Sequence, residues 1–366
     1  MRKKLFKWHS YTALITLLPL LIISITGSIL VFKVELDSLL RPAHMLVNTA
    51  ADTTRVSLDT MMGTVLKKNT EFELGGWELF DNQSRSDAAY LIKRGTQDWY
   101  KVYINQYTGE TLSQPHIMGH YLTDWLLELH YTFLLHITGT SFGFVLALVM
   151  VFLGVSGIIL YRRFWAKLFT LRLTAAKRIL FSDIHKFTGI TSSPMLIIIA
   201  ATGAYWNIAS ILHEVDEHSG DGHVFIEQPL HAAQISFEAL KSQAETHIPS
   251  FKAGYLAMPH EADLDIVFYG DVDTSNPLHS EYASTVGFDK LTGKLIYSQD
   301  IREADMLMVF LDSFRKLHFG YFGGMLTRIL WCIVGLMPLI LALTGTCMYI
   351  LRKKRAALPQ RQTATI

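Results

Sequence analysis

The chain has 366 residues, half of them hydrophobic, and a mean hydropathy of +0.25, which is high for a soluble protein. A net charge of +1 gives no reason to expect a nucleic-acid partner. Cys332 and Cys347 fall in one apolar run, so neither a disulfide framework nor a CxxC redox or zinc motif is available. A membrane protein is therefore the first expectation.

Four apolar segments are long enough to cross roughly 30 Å of hydrocarbon as helices, and none contains Asp, Glu, Lys or Arg. They are residues 10–31, 137–161, 187–209 and 329–351. The first follows MRKK and has a cleaved signal peptide as its alternative interpretation. We favour a membrane span because the segment is longer than a typical signal-peptide core and has a counterpart later in the chain.

Charge outside these segments changes sign along the chain. The N-terminus, the link at residues 162–186 and the tail from residue 352 hold 16 basic residues and one acidic residue, Asp183. The rest of the chain, mainly residues 32–136 and 210–328, holds 17 basic and 31 acidic residues. By the positive-inside rule, the basic segments are cytoplasmic and the two large loops lie on the outer side.

Each large loop contains the same local patterns in the same order. VSLDTMMGTVLKK, at residues 56–68, and ISFEALKSQAETH, at residues 235–247, predict amphipathic helices that begin at a Ser cap. YINQYTGETL, at residues 103–112, and GFDKLTGKLI, at residues 287–296, predict two strands joined by a Thr-Gly turn. Each loop is therefore expected to form a small α+β domain.

Histidines and glycines of the apolar segments recur at fixed spacings. A histidine precedes a glycine by 18 residues at the first helix of each half and by 27 residues at the second. The pairs are His9–Gly27 and His185–Gly203 at the shorter spacing, and His130–Gly157 and His318–Gly345 at the longer. We interpret the chain as a tandem duplication of a helix, an α+β domain and a helix, with both termini cytoplasmic.

The order of these motifs resembles the PepSY-associated transmembrane proteins, which include bacterial inner-membrane ferric-siderophore and ferric-iron reductases. The resemblance covers nearly the whole chain. It rests on four histidine-bearing helices, two Thr-Gly hairpins and the motifs SITGSIL, GVSGIILYRR, AATGAYW and ALTGTCMYILRK. It implies an α-helical membrane protein with α+β periplasmic domains, haem b bound by membrane histidines, and delivery of electrons to periplasmic iron.

On this basis the chain divides into nine segments. They are a cytoplasmic N-terminus (1–9), a first transmembrane helix (10–33), a first periplasmic PepSY-like domain (34–128), a second transmembrane helix (129–161), a cytoplasmic link (162–186), a third transmembrane helix (187–209), a second periplasmic PepSY-like domain (210–317), a fourth transmembrane helix (318–351) and a cytoplasmic tail (352–366).

The resemblance gives the paired histidines a chemical role, since imidazole is a common axial ligand of haem iron. His9 and His185, the inner pair, begin their helices at the cytoplasmic face and are expected to share one iron. Lys7, Arg178 and Lys186 are candidates for pairing with haem propionates. The alternative is that such interfacial histidines turn toward the lipid headgroups and have no ligand.

His130 and His318, the outer pair, are the second set of expected ligands. In a continuous helix, His136 would point about 120° away from His130 and lie about 9 Å along the axis. The duplication selects His130, because residue 136 aligns with Gly324. Position along the span favours His136 instead, because it lies nearer the middle of the membrane than His130 does. We rank His130 with His318 first and keep His136 as an alternative ligand or a neighbour of the haem edge, with one or two haems in all.

An acidic, histidine-rich stretch, HEVDEHSGDGH, follows the third apolar segment. Carboxylates and imidazoles suit iron, and an acidic outer side raises the local concentration of cations. The stretch is a candidate iron contact, although it has no strict metal-ligand spacing. The candidate metal ligands are His213, Glu214, Asp216, Glu217, His218 and His223.

The sequence contains no GxGxxG after a strand, no P-loop and no HExxH, and its cytoplasmic segments are too short for a nucleotide-binding domain. Electrons would come from a membrane quinol or a separate cytoplasmic reductase. The prediction is a haem-containing inner-membrane reductase of periplasmic ferric iron or ferric siderophore, with haem ligands in place of acid–base catalysts. The alternatives are a PepSY-type binding or sensor protein without redox activity and a transporter, which the lack of acidic residues in the spans disfavours.

Overall fold

The structure is a computed structural model that describes residues 2–48, 53–80, 82–161, 172, 174–219 and 225–356. Contacts divide the chain into two compact units. The helical unit comprises Met1–Val31, Leu126–Val215 and Leu317–Ile366. The sheet unit comprises Phe32–Trp125 and Asp216–Lys316.

Helices account for most of the described chain. They are α1 (Arg2–Ile15), α2 (Leu17–Leu30), α3 (Lys33–Leu40), α4 (Pro42–Met45), α5 (Leu58–Lys68), α6 (Leu122–Thr132), α7 (His136–Leu160), α8 (Lys177–Ser219), α9 (Phe237–His247), α10 (Met306–Phe319) and α11 (Gly324–Ala356). A 3₁₀ turn at Tyr321–Gly323 joins α10 to α11.

Three helical stretches of the described chain are long and apolar enough to cross a membrane: α7, residues Lys177–Asp216 of α8, and Tyr321–Lys354. The α1–α2 pair passes the same test together but is bent by 67°, so there are four spans if that pair counts as one. The first apolar segment, expected to cross the membrane as a helix, is therefore bent sharply between two shorter helices. Pro19 explains the break, because it cannot donate a helical hydrogen bond and its ring clashes with the carbonyl four residues earlier.

A second break separates His130 from His136. The backbone of Phe133, Leu134 and His136 has positive φ angles of 52°, 61° and 50°. A Cβ atom at Gly139 would lie 1.4 Å from the carbonyl oxygen of Thr132, so only glycine permits this close approach. The expectation of one continuous helix through both histidines is therefore wrong, and so is the geometry calculated from it.

In the sheet unit, the two large loops contribute four strands each to one sheet. The strands are β1 (Phe72–Glu78), β2 (Asp87–Lys93), β3 (Trp99–Ile104), β4 (His116–Ile117), β5 (Lys252–Ala257), β6 (Ile266–Asp271), β7 (Ser284–Phe288) and β8 (Leu295–Gln299). Their order across the sheet is β4-β3-β2-β1-β5-β6-β7-β8, and all neighbours are antiparallel. The first strand of one loop thus pairs with the first strand of the other, with Trp77 opposite Leu256.

The predicted amphipathic helices are confirmed as α5 and α9. Ser57 accepts a hydrogen bond from the Thr60 amide, and Ser236 accepts one from the Ala239 amide, as helix caps do. Apolar side chains of both helices pack on one face of the sheet. The fully buried members of this core include Met61, Val65, Trp77, Leu91, Ala244, Leu256, Phe268 and Phe288.

The two helices also cap each other. Asp59, in the first turn of α5, accepts hydrogen bonds from the Ser236 hydroxyl at 2.5 Å and from the Phe237 amide at 2.6 Å. Glu238, in the first turn of α9, accepts one from the Leu58 amide at 2.8 Å. Each helix N-terminus is therefore stabilised by a carboxylate of the other.

The Thr-Gly turns occur where they were predicted. Gly109 and Gly293 have φ angles of 74° and 68°, which a residue without Cβ adopts readily. In the second loop the turn joins the full strands β7 and β8. In the first loop the strand after the turn is reduced to a single bridge between Ile104 and Thr111.

Candidate functional site: four histidines on paired helices

The four histidines singled out by spacing all lie in the helical unit, on α1, α6, α8 and α10. Each contacts a Thr-Gly or Ser-Gly dipeptide on the other helix of its own half. His9 faces Ser156-Gly157, His130 faces Thr26-Gly27, His185 faces Thr344-Gly345 and His318 faces Thr202-Gly203.

The rings of the outer pair are held through Nδ1. His130 Nδ1 lies 3.1 Å from Thr26 Oγ1 and 3.1 Å from the carbonyl oxygen of Ile23. His318 Nδ1 lies 3.0 Å from Thr202 Oγ1 and 3.1 Å from the carbonyl oxygen of Ile199. These equivalent contacts leave Nε2 of both rings free of hydrogen-bond partners among the described residues.

The rings of the inner pair are held in the same way. His9 Nδ1 lies 2.7 Å from Ser156 Oγ, and His185 Nδ1 lies 3.0 Å from Thr344 Oγ1. The hydroxyl residues are nearly fully buried, with exposed fractions of 2% for Ser156 and 6% for Thr344. Packing therefore fixes the groups that orient these rings.

The glycines give the rings room. A Cβ atom would lie 2.7 Å from Cε1 of His130 at Gly27 and 3.2 Å from Cε1 of His318 at Gly203. The corresponding distances at the inner pair are 3.4 Å at Gly345 and 3.8 Å at Gly157. The clearance is therefore tightest for the outer pair.

Histidines of opposite halves come close together. The ring centroids of His130 and His318 are 6.5 Å apart, with an angle of 59° between the ring planes. His9 lies close enough to His185 for the two rings to interact electrostatically. Each histidine thus has its hydroxyl neighbour in its own half and its imidazole neighbour in the other half.

Basic side chains expected near the inner pair are exposed. Lys7 lies on α1, and Arg178 lies in the first turn of α8. Lys186 follows His185 directly, and its Nζ lies 5.8 Å from the centroid of the Tyr161 ring. Their pairing with propionates stays a prediction.

His136 is exposed and begins α7 immediately after the helix break. It shares neither the hydroxyl contact nor the imidazole neighbour that the structure gives His130. Its role as an alternative ligand also stays a prediction, but the repeated geometry belongs to His130 and His318.

Part of the acidic, histidine-rich stretch is helical, because α8 continues to Ser219 and so extends ten residues past the expected end of the third span. His213 and Asp216 are exposed and Glu214 is half-buried. The side chains of Glu217 and His218, and the whole of His223, lie outside the described part of the chain. Within the described residues, no group of three or more His, Cys, Asp or Glu side chains is arranged to hold a metal ion.

The sheet unit holds another group of histidines. His116 and His120 stack with ring centroids 4.2 Å apart and planes only 5° from parallel, and Tyr121 packs edge-on against both. Burial lowers the pKa of His116, and His120, His44 and the Arg41 guanidinium lower it further. The neutral form of His116 is therefore favoured.

Sequence reasoning missed the four hydroxyl side chains as functional groups. In the sequence they are small residues that precede glycine in apolar helices, a pattern that helix packing also produces. The available signal was that all four small residues are Thr or Ser, which can hydrogen-bond to a histidine.

A family model described as the PepSY-associated TM region matches residues 6–352, nearly the whole chain. No curated protein matches the chain. The matched region includes all four histidines and their hydroxyl–glycine dipeptides.

Proposed function

The chain belongs to the PepSY-associated TM region family, and we propose that within it this protein is a haem-containing reductase of the bacterial inner membrane. It carries electrons from a membrane quinol or a cytoplasmic reductase to ferric iron, free or bound to a siderophore, in the periplasm. The lipid membrane is its environment, and iron is its substrate. The membrane assignment follows from the family and the apolar helices.

The proposal includes a topology. The chain is a tandem duplication with four spans, of which the bent α1–α2 pair is the first, and both termini are cytoplasmic. Support comes from the repeated spacings of 18 and 27 residues and from the mirrored strand order about the β1–β5 pair. The basic N-terminus, link and tail support the orientation.

The observation that carries the proposal is the separation of the outer rings. An imidazole nitrogen lies about 2 Å from a metal ion that it ligates, so two rings on opposite sides of one ion have centroids about 6 Å apart. The centroids of His130 and His318 are 6.5 Å apart. The donor set therefore fits bis-imidazole ligation of haem iron, and Gly27 and Gly203 leave room for the two rings.

In this proposal the chain's own residues bind and orient the cofactor. His130 and His318 hold the outer haem, and His9 and His185 hold an inner one. The hydroxyl contacts keep the rings in place. A bound haem would supply one-electron transfer, so no acid–base catalyst is needed.

Charged groups outside the spans have supporting roles. Lys7, Arg178 and Lys186 pair with propionates at the inner site. The acidic outer loops concentrate iron cations, and the stretch that contains His213, Glu214, Asp216, Glu217, His218 and His223 contacts them.

Purified protein tests the proposal through its absorption spectrum and haem content. We expect a Soret band and about two haems per chain. The double variants His130→Ala/His318→Ala and His9→Ala/His185→Ala should each remove one haem, whereas His136→Ala should remove none. The chemically reduced protein should reduce a ferric chelate in the presence of a ferrous-iron indicator.

Two outcomes would contradict the proposal. One is a protein that takes up no haem when it is expressed with haem supplied and folds normally. The other is a Soret band that survives all four histidine substitutions together. Either would favour a binding or sensor protein in which the histidines are structural.

A further inference from the structure

We propose that Thr26, Ser156, Thr202 and Thr344 are positioning residues that fix the tautomer of the four paired histidines, so that Nδ1 carries the hydrogen and Nε2 carries the lone pair. The identification of haem iron as the group that Nε2 ligates rests on the proposed function. The tautomer itself follows from hydrogen bonds of the protein.

The first step concerns the hydrogen of each hydroxyl, which is already donated within its own helix. Thr26, Thr202 and Thr344 donate to the carbonyl oxygens four residues earlier at 2.7, 2.8 and 2.7 Å. Ser156 donates to the Leu153 carbonyl oxygen at 3.2 Å. Because a hydroxyl has one hydrogen, an oxygen that donates within its own helix accepts from the histidine that faces it.

The second step concerns the carbonyl groups beside the outer rings. Nδ1 of His130 and of His318 each lies 3.1 Å from a backbone carbonyl oxygen, of Ile23 and Ile199 respectively. A carbonyl oxygen cannot donate, so a hydrogen on Nδ1 is required for both contacts to be favourable. In a neutral imidazole this leaves the lone pair on Nε2, the form that ligates a metal ion.

The third step concerns what the hydroxyl does to the ligand. A hydrogen bond from Nδ1–H fixes the ring orientation and raises the basicity of Nε2. In Thr26-Gly27 and Thr202-Gly203 the dipeptide therefore has two functions, since its hydroxyl orients the ring and its glycine leaves space for Cε1. All four dipeptides place a hydroxyl against the Nδ1 atom of a histidine, which packing alone does not require.

Ser156 provides the sharpest test. Its hydroxyl is the hydrogen-bond partner of His9 Nδ1, and within the described residues His9 has no carbonyl contact like those of the outer rings. Ser156→Ala should therefore affect its histidine more than Thr26→Val affects His130, which retains the Ile23 carbonyl. Ser156→Thr, which introduces the residue found in the other three dipeptides, is the matched control.

The tautomer can be measured without any cofactor. In haem-free protein labelled with ¹⁵N-histidine, the nitrogen chemical shifts of His9 should show the Nδ1–H tautomer in the wild type and in Ser156→Thr. Ser156→Ala should show a mixture of both tautomers. Unchanged His9 shifts in a folded Ser156→Ala protein would overturn the inference.

The haem-loaded protein gives a second measurement. Ser156→Ala should weaken haem binding at the inner site by about 10- to 100-fold, as other losses of ligand-orienting partners do. It should also raise the midpoint potential of that haem, because a less basic ligand stabilises ferric iron less. Ser156→Thr should restore both properties.

The two proposals fail in different ways. If the wild-type protein binds no haem, the proposed function fails, and the nitrogen spectra alone decide whether the hydroxyls fix the tautomer. If haem binds and Ser156→Ala changes neither affinity nor potential, the positioning role is wrong while the proposed function stands.

Discussion

The four glycines differ in how close a Cβ atom at their position would come to the facing histidine ring. A Cβ atom 2.7 Å from Cε1 of His130 is closer than real contacts allow, so Gly27→Ala must displace that ring. A Cβ atom 3.8 Å from Cε1 of His9 is in ordinary contact, so Gly157→Ala should leave the inner ring in place. If the protein binds the two haems proposed above, we therefore expect Gly27→Ala to lose the outer haem and Gly157→Ala to keep both.

Haem content per chain and the melting temperature together check this prediction. The melting temperature is needed because alanine has a higher helix propensity than glycine. An effect on helix propensity alone would therefore raise the melting temperature and would not explain a loss of haem. Equal haem loss in the two variants would show that the glycines serve helix packing instead of ring clearance.

Glu281 provides a pH-dependent prediction. Burial alone would raise its pKa, but Arg315 and Lys316, each 2.9 Å away, hold the pKa at about 2. A carboxyl group whose pKa is lowered on folding stabilises the native state above its ordinary value of 4.5, and that stabilisation is lost as pH falls from about 4.5 to about 2. Glu281→Gln should therefore destabilise the protein at pH 7, by on the order of 1 kcal/mol because the pair is partly exposed.

Thermal unfolding measured from pH 7 to pH 3 checks it. The wild type should lose stability relative to Glu281→Gln as the pH falls. Glu71→Gln is the control, since the Glu71 side chain is 65% exposed and its ion-pair partner, Lys93, lies 3.7 Å away. If the stability of Glu281→Gln depended on pH in the same way as that of the wild type, the lowered pKa of Glu281 would not be what stabilises the protein.

At the scale of elements, the mutual capping of α5 and α9 should contribute measurably to stability. Asp59→Ala removes the carboxylate that accepts from Ser236 and from the Phe237 amide. We expect it to reduce the free energy of unfolding by about 1 kcal/mol, the usual value of a helix cap. Asp59→Asn, which retains an acceptor oxygen, should lose less.

A double-mutant cycle with Glu238→Ala tests whether the two caps depend on each other. Because both carboxylates lie where two helix N-termini meet, their losses should not be additive. Additive losses would mean that each cap acts on its neighbour's helix independently.

Elements defined by local signals were predictable, and those defined by distant contacts were not. Helices α5 and α9 follow from a Ser cap and apolar periodicity within a dozen residues. The helix break near His136 depends on the approach of Gly139 to the Thr132 carbonyl, which residue types do not encode. The joining of the two loops into one sheet depends on β1 pairing with β5, strands separated by about half the chain.

The same limit applies to the site. The repeated 18- and 27-residue spacings identify His9, His130, His185 and His318, because the proposed duplication would preserve distances along the chain. The contact of each histidine with a hydroxyl on another helix depends on the axial register between helices. That register is set by packing of the whole helical unit, so the histidine that each of Ser156 and its three threonine counterparts contacts could be assigned only from the structure.

At the scale of the whole molecule, the proposed topology predicts which positions are accessible from outside the cell membrane. In a background with Cys332→Ala and Cys347→Ala, Glu71→Cys should react with a membrane-impermeant maleimide on intact spheroplasts. Lys354→Cys should react only after the membrane is permeabilised, because the proposed topology places the basic tail in the cytoplasm. Reaction of Lys354→Cys on intact spheroplasts would reverse the orientation of the chain.

The antiparallel β1–β5 pair has an evolutionary consequence. Equivalent strands that pair in this antiparallel way form the type of interface that joins identical subunits, so the proposed duplication would imply a homodimeric ancestor whose genes became fused. Under that proposal, fusion would have removed the requirement that both partners be identical and would have allowed the halves to diverge. Asp124 now forms ion pairs with Lys33 and Lys101, whereas Asp312, which occupies the same place six residues before its histidine, lies 3.4 Å from the imidazole of His279.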